Sequence, residues 1–315
     1  MFHFIGDTID QLFLAALASV IKDGEVISPR GIETREIFPA AFELRNPRAR
    51  VLLTAGRYIN PAFAVAEALW ILSGSQDSWI FDYNSKLRQF ANDGILRGAY
   101  GPRIRAWAGH IDQLARARNA LRNDHSTRRA IIQIYDPGSV EEGHLDIPCT
   151  ITHHFLIRRK RLHLFTTMRG QDVWLGLPYD VFYNTILQEL MAGWVGVGLG
   201  SYYYRADSFH IYAHDMPSAL SLCATKTAHD ISMSPIHIDW DRRDEEIAAT
   251  LCGDLPVNHS LAPLSTTLES YRHWKRGACS KAVELAASIN GPLGEALRRW
   301  YDHLPSRTPL SSVVT

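Results

Sequence analysis

Two neighbouring stretches in the middle of the chain constrain its fold most. Residues 150–170, TITHHFLIRRKRLHLFTTMRG, contain two β-rich runs on either side of the basic cluster Arg158 to Arg161, which predicts a hairpin with a solvated turn. Pro178 then opens a long apolar helix. Its apolar positions are Val181, Phe182, Ile186, Leu187, Leu190, Met191 and Trp194. The length of 315 residues fits two domains or one large α+β domain.

The composition is that of an ordinary globular protein. Lys plus Arg and Asp plus Glu both number 33, and 46% of the residues are hydrophobic, which excludes global disorder. The balanced charge gives no support to a nucleic-acid binder, whose affinity rests on a surplus of Lys and Arg. Because no apolar run reaches the roughly 18 to 20 residues that span a bilayer, we expect neither a nucleic-acid nor a membrane partner.

The first 24 residues, MFHFIGDTIDQLFLAALASVIKDG, predict a surface helix and not a signal peptide. Asp7 and Asp10 come before the apolar stretch and no basic region precedes it. We expect Asp7 to be the N-cap and Gly24 to end the helix. The four cysteines, at positions 149, 223, 252 and 279, contain no CxxC pair. They therefore predict no metal site and a cytoplasmic protein with free thiols.

Other segments carry clear start and stop signals. Asn60, Pro61 and the following AFAVAEALWILSG predict an N-cap, a first-turn proline and a helix that ends before Gly74. Further patterns predict an amphipathic helix over 109–124, strands over 128–137 and 234–241, and helical stretches around 264–276 and 281–302.

The chemistry concentrates around one cysteine and several arginines. Cys149 follows Pro148 at the start of a strand, Arg128 and Arg129 begin another, and Arg169 ends a third. A thiol near fixed guanidinium charges has its thiolate favoured and becomes a nucleophile. Converging arginines suit a phosphate, because each planar group donates two hydrogen bonds. The alternatives are a buried structural cysteine and ordinary surface arginines.

Six motifs then show a family resemblance. Residues 168–192, MRGQDVWLGLPYDVFYNTILQELMA, resemble the thymidylate synthase signature, an Arg-Ser-x-Asp-x-x-Leu-Gly-x-Pro-Phe-Asn segment followed by a helix. The other five, in the family's order, are EALWILSG, GAYGPRIRAW, HSTRRAIIQIYDP, the Pro-Cys of DIPCTITHHF, and FHIYAHD. Because these motifs cover roughly residues 20 to 215 in the right order and spacing, the chain is identified as a member of this family.

The resemblance implies an architecture and a set of partners. It implies an α+β fold, a mixed β-sheet flanked by helices, in a homodimer whose two sheets pack back to back. We expect a catalytic domain over 1–235 and a C-terminal helical extension over 236–315 that packs on the same domain. The implied ligands are a nucleotide and the co-substrate 5,10-methylenetetrahydrofolate, with no metal.

The resemblance also implies roles for individual residues. Cys149 would attack C6 of a pyrimidine, Glu67 would organise proton transfers around the ring, and Tyr100 would assist removal of the C5 proton. The remaining roles are phosphate binding by Arg169, Arg30 and the partner subunit's Arg128 and Arg129, sugar contacts by Gly170, His210 and Tyr212, and folate contacts by Asp172, Leu175 and Gly176. The alignment at Arg30 is one residue out of step with the family.

The departure at Asp180 bears on the base, because the family has its base-reading asparagine there. An Asn amide can donate to O4 and accept from N3–H of uracil, whereas an ionised carboxylate can only accept and opposes O4. Cytosine offers an N4 amino donor, and its N3 can share a proton with a carboxyl group. Since a mismatched buried polar partner costs roughly 1 to 3 kcal/mol, Asp180 favours cytosine, as in the cytidylate hydroxymethylases. The alternative is that Asp180 only stabilises the N-terminus of the following helix.

Further departures concern water and the sugar. Thymidylate synthases carry a Trp, which shields the exocyclic methylene from water, where this chain has Lys86 or Leu87, with Phe90 at the next aromatic position. Gly170 replaces a phosphate- and sugar-facing Ser, which resembles the ribonucleotide-accepting CMP hydroxymethylases of nucleoside antibiotic pathways. Thr150, His153 and His154 also depart from the family, and the long helical C-terminus has no counterpart in its short closing tail.

These features predict a pyrimidine nucleotide 5-hydroxymethyltransferase. It would convert CMP or dCMP, methylenetetrahydrofolate and water to the 5-hydroxymethyl nucleotide and tetrahydrofolate through a Cys149–C6 adduct. Three alternatives remain open: a thymidylate synthase acting on dUMP, a cysteine hydrolase, and a non-catalytic nucleotide-binding module. The hydrolase would pair Cys149 with His153, two alternations along the same strand face.

Overall fold

The computed structural model describes residues 1–139, 144–222 and 231–304. In these ranges the strands form two sheets. The strands are β1 (Phe2–Gly6), β2 (Glu25–Ile27), β3 (Thr34–Ile37), β4 (Ala40–Leu44), β5 (Ile131–Gln133), β6 (Thr150–Arg158), β7 (Arg161–Met168), β8 (Gln171–Asp172), β9 (Gly198–Ala206) and β10 (Phe209–Tyr212). The helices are α1 (Ile9–Asp23), α2 (Pro61–Leu72), α3 (Tyr100–Arg105), α4 (Gln113–Asn123), α5 (Leu177–Val195), α6 (Met216–Leu222), α7 (Arg243–Cys252), α8 (Ala262–Lys275), α9 (Cys279–Ser288) and α10 (Pro292–His303).

The larger sheet has six strands in the order β1-β4-β9-β7-β6-β5 and mixes parallel with antiparallel pairs. The predicted hairpin, β6 and β7, lies in this sheet between β9 and the edge strand β5, and its two turn residues Arg159 and Lys160 both have positive φ values, 50° and 59°. A turn of this kind matches the twist of the flanking strands. The mixed sheet and its helices confirm the α+β fold.

The smaller sheet brings two of the six motifs side by side. Its order is β2-β3-β10-β8, and β8 runs parallel to β10. In that pairing His210 lies opposite Asp172. The segment after β7 and the FHIYAHD segment are therefore neighbours, although almost forty positions separate them in the chain.

The long apolar helix α5 packs on one face of the six-stranded sheet and against α2. Alternate residues of the central strands, among them Phe155, Leu164 and Tyr202, are fully buried on that face. Their neighbours in the strands, such as Phe165 and Tyr203, are only half-buried. One face of the sheet is thus covered by α5, and the other carries half-exposed aromatic side chains.

The C-terminal helices pack on α2. Helices α7, α8 and α10 all contact it, and α9 packs between α8 and α10. Tyr83, which follows α2, stacks on Tyr271 of α8 at a centroid distance of 5.5 Å. The helical extension is therefore joined to the helix that carries Glu67.

Several local predictions are confirmed. Asn60 caps α2, accepting a hydrogen bond from Phe63 N (3.2 Å), and Pro61 is its first residue. Pro178 lies in the first turn of α5, and Gly24 ends α1.

Other local predictions are wrong in detail. The N-cap of α1 is Thr8, not Asp7, because its hydroxyl accepts from Gln11 N. Helix α4 starts at Gln113 and not at residue 109, and β5 starts at Ile131 and not at residue 128. Helix α7 was not predicted. The helical stretch predicted over 281–302 is two helices, because Gly291 and Pro292 separate α9 from α10.

The predicted strand over 234–241 is also wrong. Within the described part of the chain this segment pairs with no strand. Its backbone bonds instead to side chains of α5: Ile236 N donates to Glu189 (3.2 Å) and Trp194 Nε1 donates to Ile238 O (2.9 Å). The alternating apolar residues of this segment therefore reflect its packing along helix α5, and not a place in a sheet.

The described ranges contain neither a helix that could span a membrane nor a group of side chains that could hold a metal ion. No helix in 1–139, 144–222 or 231–304 has the length and apolarity to cross a bilayer. Over the same residues, no three His, Cys, Asp or Glu side chains are grouped so as to hold a metal ion. Of the four cysteines, Cys223 lies outside the described residues, and the other three are free thiols.

Candidate active site

The candidate nucleophile lies where the β6–β7 hairpin meets the preceding loop. Cys149 directly precedes β6 and is half-buried. Arg169, directly after β7, donates from its backbone N–H to Cys149 O (2.9 Å), from Nε to Pro148 O (3.0 Å) and from Nη2 to Ile147 O (3.0 Å). The antiparallel register of the hairpin therefore places Arg169 and Cys149 together and fixes the backbone that carries the thiol.

Opposing influences act on the Cys149 thiol. Burial is the largest and raises its pKa, while the charge of Arg169 lowers it; the charges of Asp180 and Asp146 raise it and that of Arg30 lowers it. The expectation that guanidinium groups favour the thiolate has the right sign, but burial outweighs them. Since the net pKa lies above the ordinary 9.0, the thiol is protonated at neutral pH and must lose its proton to act as a nucleophile.

Two carboxyl groups with raised pKa values lie on the packed helices α2 and α5. Glu67 is the one residue of α2 that is not fully buried, and burial, with a contribution from the charge of Asp180, raises its pKa to about 8. Asp180 lies in the first turn of α5, and burial raises its pKa to about 7. With pKa values of about 8 and about 7, the two groups give the site an exchangeable proton at neutral pH.

The Asp180 carboxyl is held by a buried glutamine that the sequence analysis missed. Gln171 Nε2 donates to Asp180 Oδ2 (3.0 Å) and to the backbone O of Asp172 (2.9 Å), and the Tyr204 hydroxyl donates to Gln171 Oε1. The family signature leaves this position free between Gly170 and Asp172, so no motif indicates it. Asp180 therefore does more than stabilise the start of α5: it ends a chain of hydrogen bonds.

Tyr100, the first residue of α3, lies close enough to Cys149 and Asp180 for their charges to act on it. Its hydroxyl accepts a hydrogen bond from Thr150 N (3.2 Å), directly after Cys149. Burial, with contributions from the charges of Cys149 and Asp180, raises the pKa of the phenol far above its ordinary value. The phenol is therefore neutral, and its own hydrogen can still be donated.

The predicted phosphate ligands are only partly brought together. Arg30 lies in a turn with a positive φ of 54°, and its charge acts on both Cys149 and His210. Arg128 and Arg129 are exposed in the segment before β5, the edge strand of the larger sheet. They precede the strand, so the prediction that they begin it is wrong.

The predicted sugar side lies along β8 and β10. His210 Nδ1 is 3.1 Å from Ser208 Oγ, and its ring packs edge-on to Tyr212 at 5.5 Å. Burial, with the charges of Arg169 and Arg30, lowers the pKa of His210 to about 4, so the ring is neutral at pH 7. A Cβ placed on Gly170 would come no closer than 3.8 Å to His210. The glycine thus leaves open space beside the histidine.

The predicted folate residues form the turn between β8 and α5. Asp172 Oδ1 accepts hydrogen bonds from Trp174 N (2.8 Å) and Leu175 N (2.9 Å). Burial raises the pKa of Asp172 to about 6, against the lowering effect of these two hydrogen bonds. Leu175 is exposed, and a Cβ on Gly176 would lie 2.7 Å from Gln171 Nε2. The glycine of this turn therefore leaves room for the glutamine amide.

The predicted pairing of Cys149 with His153 has a wrong geometric premise. A β-bulge between Thr150 and Thr152 breaks the two-residue alternation, so that Thr150 and His153, three positions apart, are both fully buried. His153 Nδ1 lies 3.0 Å from Thr166 Oγ1, and burial lowers the His153 pKa to about 3. A ring that resists protonation so strongly is a poor base for a hydrolase.

The segment where the family has its shielding Trp is a 3-10 helix over Ser85–Phe90. Lys86 and Phe90 are exposed, and Leu87 packs against the core. Lys86 and Leu87 therefore supply no aromatic ring at this place, and the ring of Phe90 is exposed.

Comparisons with known proteins agree with the motifs. The sequence profile of the family described as Thymidylate synthase matches residues 11–259. A deoxyuridylate hydroxymethyltransferase of Bacillus phage SP01 is 37% identical over 229 residues, 68% of this chain and 60% of that protein. Another protein of that name from Delftia phage PhiW-14 is 30% identical over 67% of this chain and 62% of its own length. The thymidylate synthase of Brachyspira hyodysenteriae is 28% identical over 64% of this chain and 79% of its own length.

The matched region spans about 60% of the length of the two phage relatives. The region matched by the family profile, residues 11–259, includes all the residues of the candidate site, from Arg30 to Tyr212, and ends before α8.

Proposed function

The chain belongs to the thymidylate synthase family, and from this premise we propose that it transfers a one-carbon unit to C5 of a pyrimidine nucleotide. The proposed substrates are CMP or dCMP, 5,10-methylenetetrahydrofolate and water, and the products are the 5-hydroxymethyl nucleotide and tetrahydrofolate. The observation that carries the choice of base is the carboxyl group of Asp180, which the resemblance aligns with the base-reading asparagine of the family.

The protonation state of Asp180 supports this choice. With a pKa of about 7, the carboxyl is partly neutral at physiological pH, and a neutral carboxyl offers one donor and one acceptor. Cytosine presents the complementary pair, an acceptor at N3 and a donor at N4. Two hydrogen bonds can then form without leaving a charge unpaired in a buried position.

The residues around Cys149 provide the proposed proton transfers. Addition of the thiolate to C6 makes C5 nucleophilic, which divides a difficult substitution into easier steps. Glu67 and Asp180, with raised pKa values, exchange protons at the polar edge of the ring, and the Tyr100 hydroxyl assists removal of the C5 proton. General acid–base groups of this kind typically contribute about 10² to 10⁴ in rate.

The turn between β8 and α5 fits a folate. When bound, 5,10-methylenetetrahydrofolate supplies the one-carbon unit. Asp172 Oδ1 is occupied by two backbone donors, so its other oxygen can accept from the amino group of a pterin. The exposed Leu175 offers apolar surface beside it, and we assign the folate contacts to Asp172, Leu175 and Gly176.

The surroundings of the site favour hydration over reduction of the new carbon. With Lys86 or Leu87 where the family has its shielding Trp, water can reach the exocyclic methylene group on C5. Addition of water and departure of Cys149 from C6 complete the 5-hydroxymethyl product. Tetrahydrofolate leaves earlier, when loss of the C5 proton forms the exocyclic methylene, and it stays at that oxidation level because no hydride is taken from it.

The phosphate side of the proposal needs a second copy of the chain. We propose a homodimer in which Arg128 and Arg129 enter the partner's site beside Arg169 and Arg30. The half-buried aromatic ladder on the sheet face opposite α5 supports it: Phe165 stacks on Tyr203 at 4.6 Å, and His163 lies 5.9 Å from Tyr203. Such a face suits sheet-on-sheet packing.

A second candidate is hydroxymethylation of dUMP. It is favoured by the names of the phage relatives and by the same neutral carboxyl. The acid can donate to O4 and accept from N3–H of uracil, provided that its two oxygens are arranged in the reverse order.

One experiment tests these proposals together. The protein is incubated with methylenetetrahydrofolate and with CMP, dCMP, UMP or dUMP separately, and the products are weighed by mass spectrometry. A gain of one CH₂O unit on a cytosine nucleotide is the expected result. A gain of CH₂O on dUMP alone supports the second candidate. A gain of CH₂ with dihydrofolate formation identifies a thymidylate synthase, and unaltered nucleotides that still bind identify a non-catalytic module.

A further inference from the structure

The amide of Gln171 has one possible orientation. One end of the amide faces the backbone O of Asp172 at 2.9 Å, and a carbonyl oxygen only accepts, so that end must be the NH₂ group. The other end receives the Tyr204 hydroxyl. Gln171 and Tyr204 are both about 2% exposed, so solvent does not compete for these bonds.

Both hydrogens of this NH₂ group are used. One is donated to Asp172 O and the other to Asp180 Oδ2. A side chain at position 176 would disturb this arrangement, because its Cβ would lie 2.7 Å from Nε2. The glutamine is thus held on three sides, and its bond to Asp180 is a fixed part of the site.

A fixed donor makes the two oxygens of Asp180 unequal. In a neutral carboxyl group the oxygen that accepts from an N–H is the carbonyl oxygen, because a hydroxyl oxygen is the weaker acceptor. Oδ2 is therefore the acceptor and Oδ1 carries the proton. The raised pKa of Asp180, about 7, means that this neutral form is well populated at physiological pH.

The order of donor and acceptor is what distinguishes the two bases. Cytosine needs the acceptor opposite N4 and the donor opposite N3, whereas uracil needs the donor opposite O4 and the acceptor opposite N3. A carboxyl that could place its proton on either oxygen would match both bases equally well. One whose order is fixed matches one base and meets the other with donor against donor and acceptor against acceptor.

We infer that Gln171 is a specificity-determining positioning residue, which fixes the acceptor oxygen of Asp180 and thereby the base that the site accepts. This inference rests on the proposed function only in that Asp180 reads the base. It holds whichever base the wild-type protein prefers.

The test measures binding, so that it does not depend on turnover. Dissociation constants for CMP and UMP are determined by titration calorimetry for the full-length protein and for Gln171→Met, which keeps the size of the side chain and removes both hydrogens. We expect the ratio of the two constants to move towards one by about tenfold, the usual cost of one mismatched polar contact.

A matched control is Gln188→Met. Gln188 is equally buried, but its amide donates to Leu162 O and Gly200 O at the sheet (both 3.0 Å). The ratio for this variant should equal that of the wild type. If Gln188→Met moves the ratio of the two dissociation constants towards one as much as Gln171→Met does, the loss of any buried amide is the cause, and the inference fails.

The pH dependence of nucleotide affinity distinguishes this role from a merely structural one, because a structural role would leave it unchanged. The hydrogen bond from Gln171 lowers the pKa of Asp180, so its removal raises that pKa further. The pH at which the affinity for the preferred nucleotide falls by half should therefore be higher in Gln171→Met than in the wild type. An unshifted profile contradicts the inference.

The outcomes separate this inference from the proposed function. If the wild type prefers UMP and Gln171→Met lowers that preference, the cytosine assignment is wrong and the role of Gln171 stands. If both constants change equally, or if the wild type does not discriminate, the role of Gln171 is wrong. Should Gln171→Met not fold, Gln171→Leu removes the same two hydrogens with a shorter side chain, and an unchanged ratio in that variant overturns the inference.

Discussion

The two ends of the site are built from different kinds of residue. At the base end Asp180, Gln171 and Tyr204 are linked by hydrogen bonds that one chain provides by itself. At the phosphate end the guanidinium groups of Arg30 and Arg169 lie in exposed positions. Their arrangement there is set by short loops and by bonds to backbone carbonyls.

This difference has a physical cause. A buried polar group must find partners within the fold, because an unpaired one costs about 1 to 3 kcal/mol. An exposed guanidinium has water as its partner and needs no such network. The base end is therefore organised before any ligand binds, whereas the phosphate end is completed, in our proposal, by a partner subunit.

The largest effect is expected at Cys149, which lies between the two ends. Replacing it with Ala removes the nucleophile and should lower turnover by about 10⁴-fold or more, while nucleotide binding at both ends persists. Product formation and calorimetry measure these two quantities. Cys252→Ala, at an exposed thiol of α7, is the control and should leave turnover unchanged. Near-normal activity of Cys149→Ala would show that the thiol does not react.

The next largest effect concerns the phosphate end. Replacing both Arg128 and Arg129 with Ala should raise KM for the nucleotide by about 10²-fold, since two charge-assisted hydrogen bonds are lost. The base preference should not change, because these residues do not contact the base end.

Mixing that double variant with Cys149→Ala tests the origin of the arginines. In a shared site, half of the dimers are mixed and each contains one intact site, so roughly a quarter of the wild-type activity returns. If no activity returns although subunits exchange, the arginines act within their own chain or not at all.

A smaller effect concerns the pH dependence of stability. The carboxyl groups near the base end titrate near neutral pH, whereas the guanidinium groups of the phosphate end do not. The folded-state pKa of Glu67, about 8, lies above its ordinary value of 4.5. Its contribution to stability is therefore present below pH 4.5 and is lost as the pH rises through about 8. The Tm of the free protein should fall over this range.

Glu67→Gln should remove part of that fall and raise Tm at pH 8 by a few degrees. Differential scanning calorimetry at several pH values provides the measurement. Glu284→Gln, at an exposed glutamate of α9, is the control and should leave the profile unchanged. An identical pH profile for the wild type and Glu67→Gln would mean that Glu67 is not protonated in the folded state.

The smallest effect is expected at Gly170, on the sugar side. A serine there meets only ordinary contacts, since its Cβ would lie 3.8 Å from His210. Gly170→Ser should shift the ratio of kcat/KM from CMP towards dCMP by a few-fold, and Gly170→Ala separates loss of space from gain of a hydroxyl. An unchanged ratio in both variants would remove Gly170 from the sugar contacts.

Local signals in the sequence were sufficient where the partners are close in the chain. The cap at Asn60, the hairpin turn at Arg159 and Lys160, and the start of α5 at Pro178 all depend on neighbouring residues. The choice between Asp7 and Thr8 as N-cap failed because adjacent residues of both types can cap a helix.

Long-range contacts could not be predicted in the same way. The bond from Gln171 to Asp180 requires the turn between β8 and α5, and the bond from Tyr204 requires that β9 pass beside it. The bulge near Thr150, which removes His153 from the face of Cys149, leaves no mark on the apolar pattern. The family motifs name the residues to which the resemblance assigns ligand contacts, but not the residues that hold them in place.

The most direct test of the account is the base preference of Asp180→Asn. Wild-type protein and variant are each given methylenetetrahydrofolate with CMP or UMP, and kcat/KM is obtained from product masses over time, with Asp172→Asn as a control at the folate side. The account predicts that the wild type hydroxymethylates CMP, that Asp180→Asn reverses the preference towards UMP by about tenfold or more, and that Asp172→Asn changes no base preference. An Asp180→Asn variant that keeps the wild-type preference would contradict it.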